Sequence, residues 1–234
     1  MNETTMNKKP KDILVELNIK FNQNFIHWSS IENFNLEKSF IGLQCVAAVG
    51  EILGQQKISE HHDICCKIFD EIFSDGVSAI YLATNAMNKP AQTVLRRVLE
   101  LGIAALYLWD MPHMAYSWND YDHDLSFSEM LKHVNSKGYL AFISKENSEE
   151  IKTEIISTAV CQNIYGKLSD VVHGKIKTFE SSMPDRFIFV QNEWNDFTTL
   201  FETVISVLIK AYLTRFKISD EVFTVVPRGK KEFI

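Results

Sequence analysis

The stretch AQTVLRRVLELGIAALYLWDM, residues 91–111, constrains the fold more than any other. Leu95, Val98, Leu99, Leu101, Ile103, Leu106 and Leu108 take up nearly the whole circumference of a helix. A helix that is apolar on almost every side must be covered on almost every side. Other helices are therefore needed around it. LEKSFIGLQCVAAVGEILGQQ, residues 36–56, has the same all-round character and is expected to be central too. Ile13, Leu14, Leu17 and Phe21 give helical spacing from about Asp12 to Phe25. Residues 59–87 read as one or two helices, with Ser59 or Ser74 as N-caps. SFSEMLKHVNS reads as a short helix with Ser126 and Glu129 in capping-box spacing. Ser148–His173 is helical with Gly174 as its stop, and residues 192–216 form the last long helix.

Three segments break the pattern. Pro112–Asp124 is aromatic and polar without a period and reads as a loop or short turns. KIKTFE and RFIFVQ alternate around SSMPD, which suggests a small β-hairpin near 175–191. The tail carries Val225 and Val226, which suit an edge strand or a groove cover. The expected fold is all-α, a single-domain helical bundle of about six to eight helices. Its limits are a flexible N-terminus over 1–11, the bundle over 12–218 and a C-terminal tail over 219–234.

Charge and motifs exclude several functions. The net charge is −6, so there is no global basic footprint for nucleic acid. Lys8, Lys9 and Lys11, and Arg228, Lys230 and Lys231, read as solvated termini. No apolar run reaches the ~18 residues of a membrane span, and TVISVLIKAYL is interrupted by Lys210. The start lacks a signal-peptide core. Cys45, Cys65, Cys66 and Cys161 lie in apolar segments without CxxC spacing, so buried free thiols in a reducing cytoplasm are expected. Phosphate-loop, dinucleotide, hydrolase-elbow and zincin motifs are all missing, and no cofactor is expected. His113, His123 and His133 with Asp110, Asp120, Asp122 and Asp124 read as a solvated acidic loop rather than a metal site. His61 and His62 read as surface histidines.

The candidate site comes from two polar stripes on greasy helices. Arg96 and Glu100 are four residues apart and share a face. Tyr165, Ser169 and His173 make a second stripe at i, i+4 and i+8. If the stripes face one another, the five residues form one network. One reading is structural: such a network rigidifies a bundle and selects which helices pair. The other is a cleft in which His173 acts as general acid or base and Glu100 orients it. Arg96 or Lys167 would then hold a phosphate-like anion. Tyr165 and Ser169 would position that anion or lock the imidazole.

RRVLE on one helix and YGKLSDVVHG on a later one resemble the HEPN-like class of bacterial helical proteins. The resemblance covers about residues 40–215, but only those two stretches are specific. It implies a compact helical bundle and a role in phage defence or a toxin–antitoxin system. It also implies a homodimer and, in active members, metal-independent RNA cleavage. His173 matches the His of the nuclease motif. The Arg of that motif falls at Lys167, and Leu168 replaces the polar residue that follows it. The sequence leans towards an RNA-cleaving protein of a conflict system. The alternative is a non-catalytic sensor, scaffold or antitoxin partner, binding a protein encoded beside it.

Overall fold

The computed structural model describes residues 9–31, 36–56, 59–121, 123–175 and 187–234. Among these residues there are eleven helices and no strand, so the fold is all-α. The long helices are α1 (Pro10–Ser29), α2 (Glu37–Gln56), α3 (His61–Thr84), α4 (Asn88–Trp109) and α9 (Gln191–Phe216). The short ones are α5 (Pro112–Asp120), α6 (Phe127–Val134), α7 (Lys137–Glu146), α8 (Thr158–Val172), α10 (Ser219–Val225) and α11 (Pro227–Phe233). The helix number exceeds the expected range because residues 112–147 and the C-terminal tail are both more helical than their patterns suggest.

The apolar stretch of residues 91–111 forms α4, packed against α3, α5, α6, α8 and α9. Leu95, Val98, Leu99, Ile103, Leu106 and Leu108 are fully buried. Gly102 admits α9 at close range: a β-carbon there would meet a Leu208 methyl at 2.4 Å. The Tyr212 hydroxyl uses that approach to donate to the Gly102 carbonyl at 3.0 Å. An 18-residue window of α9 has a mean hydropathy of 1.3, enough by length and composition to cross a membrane. That departs from the expectation of no such segment. Half of the window is buried, and Lys210 projects to the surface. The helix packs on α2 and α4 as part of the core.

Several local expectations are corrected. Residues 112–120 are a helix, not a loop, with Pro112 in the first turn where its missing N–H costs nothing. The helix expected from Ser148 starts only at Thr158, capped by Ser157. Side chains hold the preceding segment out of helix: Ser144 Oγ accepts from Ile151 N at 2.9 Å, and Asn135 Oδ1 accepts from Ile155 N at 3.1 Å. The helix α8 then stops at Gly174, whose φ of +61° is readily reached only without a β-carbon. Residues 59–87 give one helix, and neither serine caps it; Ser59 Oγ contacts His61 Nδ1 at 2.7 Å instead. The tail forms α10 and α11 rather than a strand, burying Val222, Phe223, Val226 and Phe233. Most of the expected hairpin lies in residues 176–186, outside the described residues, and 188–190 carry no strand. The helix α1 begins at Pro10, inside the segment expected to be flexible; residues 1–8 lie outside the described residues.

All four cysteines are free thiols. Burial pushes Cys45 up to about 11 and Cys65 and Cys161 up to about 12. These three therefore stay protonated and unreactive at neutral pH.

Candidate functional site

Arg96 and Glu100 occupy successive turns of α4, and Arg96 Nε donates to Glu100 Oε1 at 3.0 Å. Arg96 Nη2 donates to the Tyr165 hydroxyl on α8 at 2.7 Å. The guanidinium carbon lies 4.7 Å from the centre of the Tyr165 ring. On that ring stacks Phe127 of α6, centroids 3.8 Å apart and planes 7° from parallel. The sequence-predicted union of the two helices through Arg96, Glu100 and Tyr165 thus exists. These residues border an open groove of about 400 Å³, shared with Ser126, Ser128 and Gln162. The Arg96 side chain is 17% exposed and that of Glu100 34%, so the pair sits at the groove floor rather than in a sealed core. A charge-assisted bond of this kind fixes the rotation of one helix against another.

His173 does not join them. The direction of the helices gives the reason. Arg96 and Glu100 border Ser126 and Ser128 at the start of α6, while Tyr107 meets His133 near its end at 5.0 Å. The helices α4 and α6 therefore run the same way. Phe127 stacks on Tyr165, whereas Asn135, just past α6, bonds Thr158 at the start of α8 at 2.9 Å. So α8 runs against α4. One turn onward from Arg96 along α4 is Glu100, which is matched by a turn backward along α8, at Gln162. His173 lies two turns the other way. About eleven helical positions then separate Glu100, level with Gln162, from His173 along the pair, about 16 Å at 1.5 Å per residue. His173 is the exposed C-cap of α8, and its backbone N–H donates to the Ser169 carbonyl at 2.8 Å. The expected Arg96–Glu100–His173 pocket is thereby corrected to an Arg96–Glu100–Tyr165 node.

The other two predicted residues also fall outside the node. Ser169 Oγ is buried without a hydrogen-bond partner among the described residues. Lys167 follows Tyr165 by two residues and so points about 200° away around α8. It is exposed and borders a separate groove of about 750 Å³ with Gln92, Asn163, Asp196, Thr199 and Thr203. Lys167 and Arg96 therefore cannot grip one phosphate from a single helix face.

A second polar centre, not foreseen, lies at the other end of α4. Asp110 and Arg215 form a bidentate pair whose side chains are 9% and 8% exposed. The Tyr139 hydroxyl donates to Asp110 Oδ2 at 2.7 Å. His62 lies flat on Trp109, centroids 3.8 Å apart and 2° from parallel. His61 Nε2 contacts the Trp109 carbonyl at 2.9 Å. Both histidines are buried, contrary to the surface role expected for them. Burial lowers the His62 pKa, helped by the neighbouring His61; burial likewise lowers that of His133, against the pull of Asp110. A charge in the apolar run KAYLTRF was the available signal, since a buried Arg requires a partner. Asp110 belongs to this pair and not to a solvated acidic loop. Among the described residues no group of three or more His, Cys, Asp and Glu converges as a metal site would.

Compared with known proteins, the chain matches no family model, no curated protein and no solved structure.

Proposed function

We propose that this chain is a non-catalytic, HEPN-like interaction module of a bacterial conflict system, acting in the cytoplasm through protein contacts. One observation carries the choice over RNA cleavage. Arg96 is committed within the chain to Glu100 and Tyr165, while the only imidazole on the α8 stripe stands about 16 Å along the helix pair from Glu100. Metal-free cleavage of RNA needs a base at the 2′-hydroxyl and a cation at the same phosphate. The node supplies a cation with its two strongest contacts already made and no base beside it. What it does supply is a rigid junction of α4, α6 and α8, which suits a scaffold that presents a surface. The exposed apolar residues Leu14, Val15, Ile19 and Ile26 on α1 are such a surface.

The test has two readouts. Purified full-length chain is incubated with fluorescent single-stranded RNA, and wild type and His173→Ala are expressed in a bacterial host. The expected result is intact RNA and equal growth. RNA cleavage that disappears in both His173→Ala and Arg96→Ala would overturn the proposal.

A further inference from the structure

Among the described residues, the helix α1 packs one of its faces against the rest of the protein. Asn24 donates to the carbonyls of Asn85 and Phe187 at 3.1 and 3.0 Å, and Trp28 meets Trp194 edge to face at 5.6 Å. Leu17, Asn24 and Trp28 mark this inward stripe. Val15, Ile19 and Ile26 lie about 170° from it at 100° per residue. They are 50%, 51% and 65% exposed. With Asn22 they follow a spacing of four, three and four, the seam of a two-stranded coiled coil. Ile19 and Ile26 fall at its a positions, Val15 and Asn22 at its d positions.

We propose that a second copy of this chain docks its own α1 on this seam, in parallel and in register. The proposal rests on the reading of the chain as an interaction module and names its partner. Charge and polarity select both the occupant and its direction. In a parallel pair each g residue faces the e residue five positions on in the other helix. Lys11 then meets the partner's Glu16, and Asn18 meets the partner's Gln23, each contact made twice by symmetry. Asn22 faces Asn22, so each amide has a donor and an acceptor opposite it. An antiparallel pair centred on the same seam would set Asn22 against Ile19, burying an amide without a partner. The two bodies lie on the outer sides of the seam, since the inward stripe points away from it. Phe25, 39% exposed, flanks the apolar layers. Three apolar layers put the contact at the small end of specific interfaces, with a dissociation constant roughly in the micromolar range.

Sedimentation velocity on the full-length chain, from about 1 to about 200 μM to bracket that range, tests the association. The expected result is a monomer–dimer equilibrium whose midpoint rises at least about tenfold in Ile19→Glu, where two carboxylates would face each other in the seam. Circular dichroism of that variant should match wild type, since Ile19 is half-exposed. For direction, Asn22→Cys is made with Cys66→Ser, leaving the buried Cys45, Cys65 and Cys161 as the remaining thiols. Oxidised glutathione should link the two copies through position 22. A chain monomeric throughout, or a dimer indifferent to Ile19→Glu, overturns the seam. A dimer that does not link through position 22 overturns the parallel register. Each of these failures leaves the RNA-cleavage result untouched, so it does not count against the reading of a non-catalytic module.

Discussion

Arg96 donates to the Tyr165 hydroxyl at 2.7 Å, joining α4 to α8 across 69 positions of chain. The bond sits at a groove floor, where water is able to replace a lost partner. Tyr165→Phe removes the acceptor but keeps the stack on Phe127. The expected loss is about 1 kcal/mol, the usual net value of one hydrogen bond. Arg96→Ala also removes the cation over the ring and the aliphatic stem, so it should cost about 2 kcal/mol. Urea denaturation measures both. Equal losses for the two variants would mean that the ring contact contributes nothing.

The pair at the far end of α4 should behave differently, because its side chains are only 8% and 9% exposed. Asp110→Asn leaves the Arg215 guanidinium buried without a counter-charge, and Tyr139 loses an ionised acceptor. The expected loss is about 3–5 kcal/mol, against far less for Asp110→Leu combined with Arg215→Met. Thermal unfolding of the single and double variants decides this. A double variant no more stable than Asp110→Asn would show that the pair is not strained by desolvation.

How far the sequence disclosed all this depends on the range of the physics involved. The all-round apolarity of residues 91–111 is a local property, and α4 is where the pattern puts it. Arg96 and Glu100 share a face by helical geometry alone, so their bond was legible too. That Tyr165 meets them is one of the arrangements the two stripes left open. That His173 would not meet them depends on α8 running against α4, and nothing in either stripe encodes direction. The same limit hid the Asp110–Arg215 pair, whose members are 105 residues apart. Segment 148–157 reads as helical because its own residues permit a helix; Asn135 and Ser144, which lie outside it, claim its backbone instead. Nine residues of α5 are too few to display a period.

Gly102 should resist substitution. An added methyl would lie 2.4 and 2.5 Å from the two methyls of Leu208, which is itself fully buried. Alanine favours helix over glycine by about 1 kcal/mol. Overpacking costs about 1–3 kcal/mol and moves α9 away from the Tyr212 bond. Gly102→Ala is therefore expected to be destabilised by up to about 2 kcal/mol net. Restored stability in Gly102→Ala with Leu208→Val would tie the loss to this one contact, and a stabilised single variant would refute it.

His62, which is buried, and His133, which is half-buried, tie stability to pH. His62 and His133 both titrate below the ordinary histidine value of 6.5 in the folded chain, chiefly because burial disfavours the imidazolium. The unfolded chain therefore binds protons first as the pH falls. Their contribution is complete above the unfolded value and declines as the pH drops below it, until the folded histidines protonate as well. For each histidine the slope of unfolding free energy cannot exceed about 1.4 kcal/mol per pH unit. Denaturation between about pH 7 and pH 5 should show stability falling with acidity, before most carboxylates titrate. Replacing both residues with glutamine should flatten the curve across that interval. His62→Gln alone should remove only part of the slope, because the lowered His133 still titrates. An unchanged slope in the double variant would assign the acid sensitivity to other groups.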